Sequence, residues 1–326
     1  MKLKYKHQRF QEDAARAVTD CFLGQPHYDG TSNFLVDQGV VNGKQDNNLF
    51  HVEGFANAPL EPDVPLRDNI RRVQTSFGLK PIDQLEGDGR TLTIEMETGT
   101  GKTFTYIKTM FELNKLYGWT KFIVVVPSIA IREGVLSSFD SMSEYFAQEY
   151  GKRIQYFVYN SKQLSKIDSF AADAGIHVMI INTQAFNTSL NEDKNKEGRA
   201  GDAAARIIFS RRDEFRSRRP IDILAATHPI MIIDEPQSVL GANKTNQTRK
   251  GLKLFNSLFK LLYSATHRKD DIANMVYRLD AMDAYNKHLV KKIEVVGVEQ
   301  KGTTATNGYV YLEQTLISTR NPQARI

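Results

Sequence analysis

Thr91 to Thr103, reading TLTIEMETGTGKT, carries the residues best suited to chemistry in this chain. Gly99 and Gly101 let the backbone turn tightly enough for successive N–H groups to face phosphate oxygens. Thr98, Gly99, Thr100 and Gly101 would cradle a nucleotide's phosphates. Lys102 would reach the β- and γ-phosphates, and the Thr103 hydroxyl would ligate Mg²⁺. The strict phosphate-loop pattern has Gly where Met96 stands, just before the loop. A second group is Asp234-Glu235-Pro236-Gln237. An aspartate there can hold the water shell of the metal, and the adjacent glutamate can orient an attacking water. Smaller signals are Ser264-Ala265-Thr266, Pro127-Ser128 and Asn182-Thr183-Gln184. Their hydroxyls and backbone N–H groups suit the γ-phosphate or the phosphates of a nucleic-acid strand.

These groups need a frame, and the apolar pattern supplies one. Leu92, Ile94 and Met96 alternate with Thr93 and Glu95 as in a strand, and Ile107, Met110, Phe111 and Asn114 follow at helical spacing. The phosphate loop would therefore sit at a helix N-terminus, whose partial positive charge favours anions. Short apolar runs at Phe122–Val126, Tyr156–Tyr159, Val178–Ile181, Ile230–Ile233 and Leu261–Tyr263 read as strands. Helical stretches such as Val135–Tyr150 and Thr248–Leu258 separate them. Such alternation predicts an α/β fold, a mainly parallel sheet with helices on both faces. Working residues then sit at the carboxyl ends of the strands, where all the candidates above fall.

At the N-terminus, Phe10, Ala14, Val18 and Phe22 recur every four residues, predicting a helix from Gln8 to Leu23. Residues 27–89 are rich in turns (YDGTSN, VNGKQDNN, EGDGR) and read as a loop or hairpin insertion with one short helix near Arg67 to Phe77. The chain has 326 residues, 41% hydrophobic and 25% charged, with a formal net charge of +5. That is an ordinary globular composition, mildly basic and compatible with nucleic acid. One cysteine, Cys21, excludes an internal disulfide and a thiolate zinc cluster. No apolar run reaches membrane-spanning length, so no membrane partner and a cytoplasmic location are expected.

In order, METGTGKT, VVVPS, NTQ, DEPQ and SAT resemble the motifs of the first RecA-like motor domain of a superfamily-two helicase. IIDEPQSVLG and LYSATH bring the likeness closest to the restriction (Res) subunit of type III restriction-modification enzymes. The resemblance runs from about Gln8 to about Val298. It implies ATP and Mg²⁺ as cofactors, with Lys102, Asp234 and Glu235 catalytic and Asp234 holding the metal through water. Gln11 would match a glutamine that contacts adenine. Ser264 and Thr266 would couple nucleotide state to DNA, and Pro127, Ser128, Asn182 and Thr183 would lie along the DNA backbone. Double-stranded DNA and a DNA-methyltransferase (modification) subunit are the implied partners. The implied activity of the intact protein is that of an ATP-dependent type III site-specific deoxyribonuclease. Gln237 departs from the Asp or His of DEAD- and DEAH-type RNA helicases.

The resulting layout is a helix with the adenine-contact glutamine (1–26), an insertion (27–89), a first RecA-like ATPase domain (90–290) and connecting strands (291–326). A second motor domain and the nuclease are expected outside these residues. Glu299-Gln300-Lys301 and Asp283 mimic a nuclease triplet but read as a strand end and a helix. The arginines Arg206, Arg211, Arg212, Arg216, Arg218 and Arg219 read as a solvated face. Tyr117 and Trp119 read as packing residues. Three alternatives remain open: an isolated nucleotide- and DNA-binding fragment with little ATPase, another superfamily-two translocase of type I restriction or repair, and a small-molecule kinase.

Overall fold

The computed structural model describes residues 5–29, 51–185, 207–211, 219–241 and 247–291. It also describes the backbone of short strands at 34–37, 40–41, 44–45, 314–316 and 323–325. Seven strands make the central sheet: β1 (Thr91–Met96), β2 (Lys121–Val126), β3 (Ile154–Val158), β4 (Ile176–Asn182), β5 (Ile230–Asp234), β6 (Lys260–Ser264) and β7 (Met275–Leu279). Their order across the sheet is β7-β1-β6-β5-β2-β4-β3, and every neighbouring pair is parallel. The strands expected for this sheet are all present, with ends shifted by at most two residues. The seventh, β7, is not expected from the sequence: MVYRL between short loops has no clear period.

Parallel strands need crossovers, and helices supply them. α1 (Arg9–Thr19), α2 (Leu66–Ser76), α3 (Lys102–Tyr117) and α4 (Ile129–Tyr150) cover one face. α5 (Ser165–Ala172), α6 (Pro220–Ala226), α7 (Pro236–Val239) and α8 (Gln247–Leu254) lie toward the other. A short α9 (Ala281–Asn286) follows β7. The strand period divides the core in two. Phe122, Val124, Val126, Val178, Ile180, Ile230, Ile232, Leu261 and Tyr263 join the first layer, whereas Ile123, Val125, Met179, Ile181, Met231, Ile233 and Leu262 join the second. Both faces being covered explains why these strands read as continuous apolar runs.

α1 is shorter than Gln8–Leu23 because a 3₁₀ turn, Asp20–Phe22, closes it. α4 begins six residues earlier than expected, since Ser128 caps it by accepting the Ile131 N–H at 3.3 Å. Tyr117 and Trp119 are packing residues: both are buried, Tyr117 bonding the Thr19 carbonyl and Trp119 the Ala58 carbonyl. In the insertion, Phe34–Asp37 pairs antiparallel with His51–Phe55, and Val40–Val41 with Lys44–Gln45. Gly54 is needed there, because a β-carbon would collide with the Ala171 carbonyl at the end of α5.

The chain divides into two compact units, Met1–Val290 and Lys291–Ile326. In the second, Gln314–Leu316 pairs antiparallel with Gln323–Arg325. Glu299-Gln300-Lys301 lies outside the described residues, as do Arg206, Arg212, Arg216 and Arg218. Asp283 is exposed on α9, and Arg219 pairs with Asp222. No helix among the described residues is long and apolar enough to cross a membrane.

Candidate active site

β1, β6 and β5 lie side by side, so their carboxyl ends bring Glu97–Thr103, Ser264–Thr266 and Asp234–Gln237 together. The loop after β1 turns through Gly99 (φ 82°) and Gly101 (φ 86°), both in the left-handed region open to glycine. Gly101 caps α3, and Lys102 and Thr103 form its first turn. The buried Thr100 hydroxyl donates to the Glu97 carbonyl at 2.6 Å. The Glu97 carboxylate accepts the Thr98 N–H at 2.7 Å, so a side chain of the loop itself holds one amide suited to an anion. Gln11 is buried, and its amide donates to the Thr100 carbonyl at 2.9 Å, fastening α1 to the loop.

Across the site, Lys102 Nζ lies 3.1 Å from Glu235 Oε1. Glu235 adopts a left-handed backbone (φ 52°), uncommon for a residue with a β-carbon, and its N–H is pinned to the Tyr263 carbonyl at 2.9 Å. Its other oxygen, Oε2, accepts from Gln237 Nε2 at 2.6 Å and from Ser264 Oγ at 2.8 Å. Ser264 Oγ also lies 2.9 Å from Gln237 Oε1 and 2.8 Å from the Thr266 carbonyl, and it accepts the Thr266 N–H. A hydroxyl has one proton, so Ser264 can donate to only one of these three acceptors at a time.

The two carboxylates differ in how readily they ionise. Burial and the neighbouring Glu235 charge push Asp234 up to about 6, against the pull of Lys102. Burial also acts to raise Glu235, yet the Gln237 and Ser264 hydrogen bonds and the Lys102 charge bring it below the ordinary glutamate range. Hence Glu235 is the firm anion and Asp234 the reluctant one. Among the described residues no side chain donates a hydrogen bond to Asp234. The Tyr106 hydroxyl, fully buried on α3, makes no hydrogen bond of normal geometry, with Thr103 and Asp234 among its polar neighbours. This donor set fits a nucleotide with its divalent metal. It offers a positive-φ loop, an ammonium, a hydroxyl and a buried carboxylate with acceptor capacity to spare.

Pro127, Ser128, Asn182 and Thr183 gather at the carboxyl ends of the adjoining strands β2 and β4. Thr183 Oγ1 contacts the Pro127 carbonyl at 3.4 Å, and Asn182 donates to Gln184 at 3.3 Å. Beside them opens a cleft of about 640 Å³ whose lining includes Arg132, Asn160, Lys166, Asn182 and Gln184. The sequence pattern singles out none of Glu97, Tyr106, Gln237, Arg132 or Lys166 as working residues. Gln237 carries a visible signal in its place two residues after Glu235, whereas Tyr106 looks like any apolar helix position.

An all-parallel sheet with a phosphate loop after β1 and an acidic turn after β5 defines a P-loop α/β protein. The family model for the type III restriction enzyme, res subunit, matches residues 67–269, and the chain belongs to that family. It is 33% identical over 244 residues to the Type III restriction-modification enzyme EcoP15I Res subunit of Escherichia coli, covering 69% of this chain and 23% of the relative. To the EcoPI Res subunit of Escherichia phage P1 it is 32% identical over 238 residues, again covering 69% and 23%. The chain thus spans about a quarter of the length of these relatives. A solved structure of a nuclease-deletion mutant of the Type ISP restriction-modification enzyme LlaGI, in complex with a DNA substrate mimic, is also similar. It is 15% identical, with a TM-score of 0.40, covering 70% of this chain and 18% of that one.

Proposed function

We propose that this chain forms the ATP- and DNA-binding motor portion of a type III restriction enzyme. In that reading ATP hydrolysis drives translocation or switching on duplex DNA before cleavage, beside a DNA-methyltransferase subunit. The observation that carries it is the Lys102–Glu235 ion pair, which joins the phosphate loop to the acidic turn at 3.1 Å.

The ion pair suggests how the site works. Lys102 holds Glu235 Oε1 until phosphate oxygens compete for its ammonium. Oε1 then becomes free to accept a proton from water, while Oε2 stays oriented by Gln237 and Ser264. Bound Mg²⁺ would supply charge neutralisation at the phosphates, with Thr103 and Asp234, the latter through water, as its protein partners. Ser264 carries the signal outward, since the same hydroxyl can bond Glu235 or the Thr266 carbonyl. Gln11 would contact adenine, while its amide fastens α1 to the phosphate loop through the Thr100 carbonyl. Pro127, Ser128, Asn182 and Thr183 would meet the DNA backbone.

The test is Mg²⁺-dependent ATP hydrolysis by the chain, with and without duplex DNA, beside Lys102→Ala. DNA-stimulated turnover that disappears in the variant is the expected outcome. Nucleotide binding abolished in Lys102→Ala, with no turnover in the parent chain, would instead favour the reading as a binding fragment. Wild-type binding retained by Lys102→Ala would overturn the site.

A further inference from the structure

Tyr106 sits one helical turn beyond Thr103 on α3, with no exposure to solvent. Its ring meets the Tyr263 ring edge to face, centroids 5.7 Å apart and planes at 67°. Tyr263 is the β6 partner of Asp234 in the sheet register, which sets the phenol near the base of the metal-bearing turn. The two tyrosines differ in one respect. The Tyr263 hydroxyl lies 3.1 Å from Thr109 Oγ1, whereas the Tyr106 hydroxyl makes no hydrogen bond of normal geometry and has the Thr103 side chain as its polar neighbour on the same helix, with the Asp234 charge also acting on it. A buried polar group without a partner destabilises the fold, and phenylalanine would fill the same space without that penalty.

We propose that Tyr106 is a positioning residue for the metal site, its hydroxyl donating to the Asp234 carboxylate once Mg²⁺ and nucleotide are bound. The proposal rests on the phosphate-loop reading above. A carboxylate has about four lone-pair positions, and a metal-bound water takes one, which leaves an acceptor for the phenol. The hydroxyl, without a bond of normal geometry in the free protein, then gains one in the loaded protein. Part of the metal affinity would come from relieving that deficit. Such outer partners of metal ligands commonly change metal affinity by about 10- to 100-fold.

The experiment titrates Mg²⁺ into the full chain with a fluorescent, non-hydrolysable ATP analogue, comparing wild type, Tyr106→Phe and Lys102→Ala. It also measures the melting temperature of each without ligand. Tyr106→Phe is expected to need about tenfold more Mg²⁺ for half-maximal binding, while its ligand-free melting temperature equals or exceeds that of wild type. Restoring tyrosine at 106 must restore the Mg²⁺ dependence. An unchanged Mg²⁺ requirement in Tyr106→Phe, with binding still abolished by Lys102→Ala, overturns the role of Tyr106 and leaves the phosphate loop standing. A lower ligand-free melting temperature also overturns it, because the hydroxyl would then already have a partner. Absence of Mg²⁺-dependent binding by wild type removes both the inference and the reading beneath it.

Discussion

Gly101 tolerates no side chain without disturbing two things at once. Its φ of 86° is strained for any residue with a β-carbon, and that carbon would collide with the Gln11 amide. Gly101→Ala is therefore expected to lower stability by about 1–2 kcal/mol, read by chemical denaturation. It should weaken nucleotide binding further, since displacing Gln11 frees the Thr100 carbonyl that holds the loop. Wild-type denaturation and binding would show that the loop relaxes into another conformation. Glu235 carries a similar strain in its left-handed backbone, maintained by the Tyr263 carbonyl on the neighbouring strand. At both positions local strain is held by groups from elsewhere in the chain.

Among the elements, β2 shows how the opposite end of the sheet is secured. The Asn57 side chain accepts from the Thr120 and Lys121 N–H groups and donates to the Lys121 and His228 carbonyls. The Lys121 side chain is fully buried and donates to the Phe170 and Asp173 carbonyls at the end of α5. Burial lowers its pKa from 10.5 to about 8, the Asp173 charge opposing. Between those values the unfolded chain binds the proton and the folded chain does not. The Lys121 contribution to stability thus rises from pH 8 toward 10.5 and is gone once pH falls back through 8. Its full extent is about 3 kcal/mol, one pKa unit being about 1.4 kcal/mol. Denaturation of wild type and Lys121→Met across pH 7 to 10 should show this slope in the first and not in the second. Identical slopes would refute the burial effect.

Across the whole molecule, positive charge and the strand-end cleft point the same way. The net charge is +5, and Arg132 and Lys166 line the cleft beside Asn182. The pair Arg132→Ala and Lys166→Ala should weaken duplex DNA binding uniformly across sequences. The slope of log affinity against log salt should fall by about 0.9 for each phosphate that is no longer neutralised. A double variant with an unchanged slope would move the DNA path away from this cleft.

Much of this is legible in the residue order. A parallel sheet buries its strands on both faces, so β2, β4 and β5 announce themselves as apolar runs, and each chemical motif stands directly after one. The phosphate loop is local: Gly99, Gly101, Lys102 and Thr103 are neighbours in the chain and in space. The strand β7 is hidden because Arg278 and Tyr277 break any period, and its place beside β1 depends on long-range pairing. The same holds for the site's finer chemistry. No spacing rule pairs Lys102 with Glu235, sets the Gln237 and Ser264 donors on one oxygen, or buries the Tyr106 hydroxyl without a hydrogen bond of normal geometry. Burial and charge at those atoms come from residues far apart in the chain. Sequence pattern therefore specified which groups meet at the sheet edge, and the folded packing specified their protonation, their partners and the hydroxyl held in reserve.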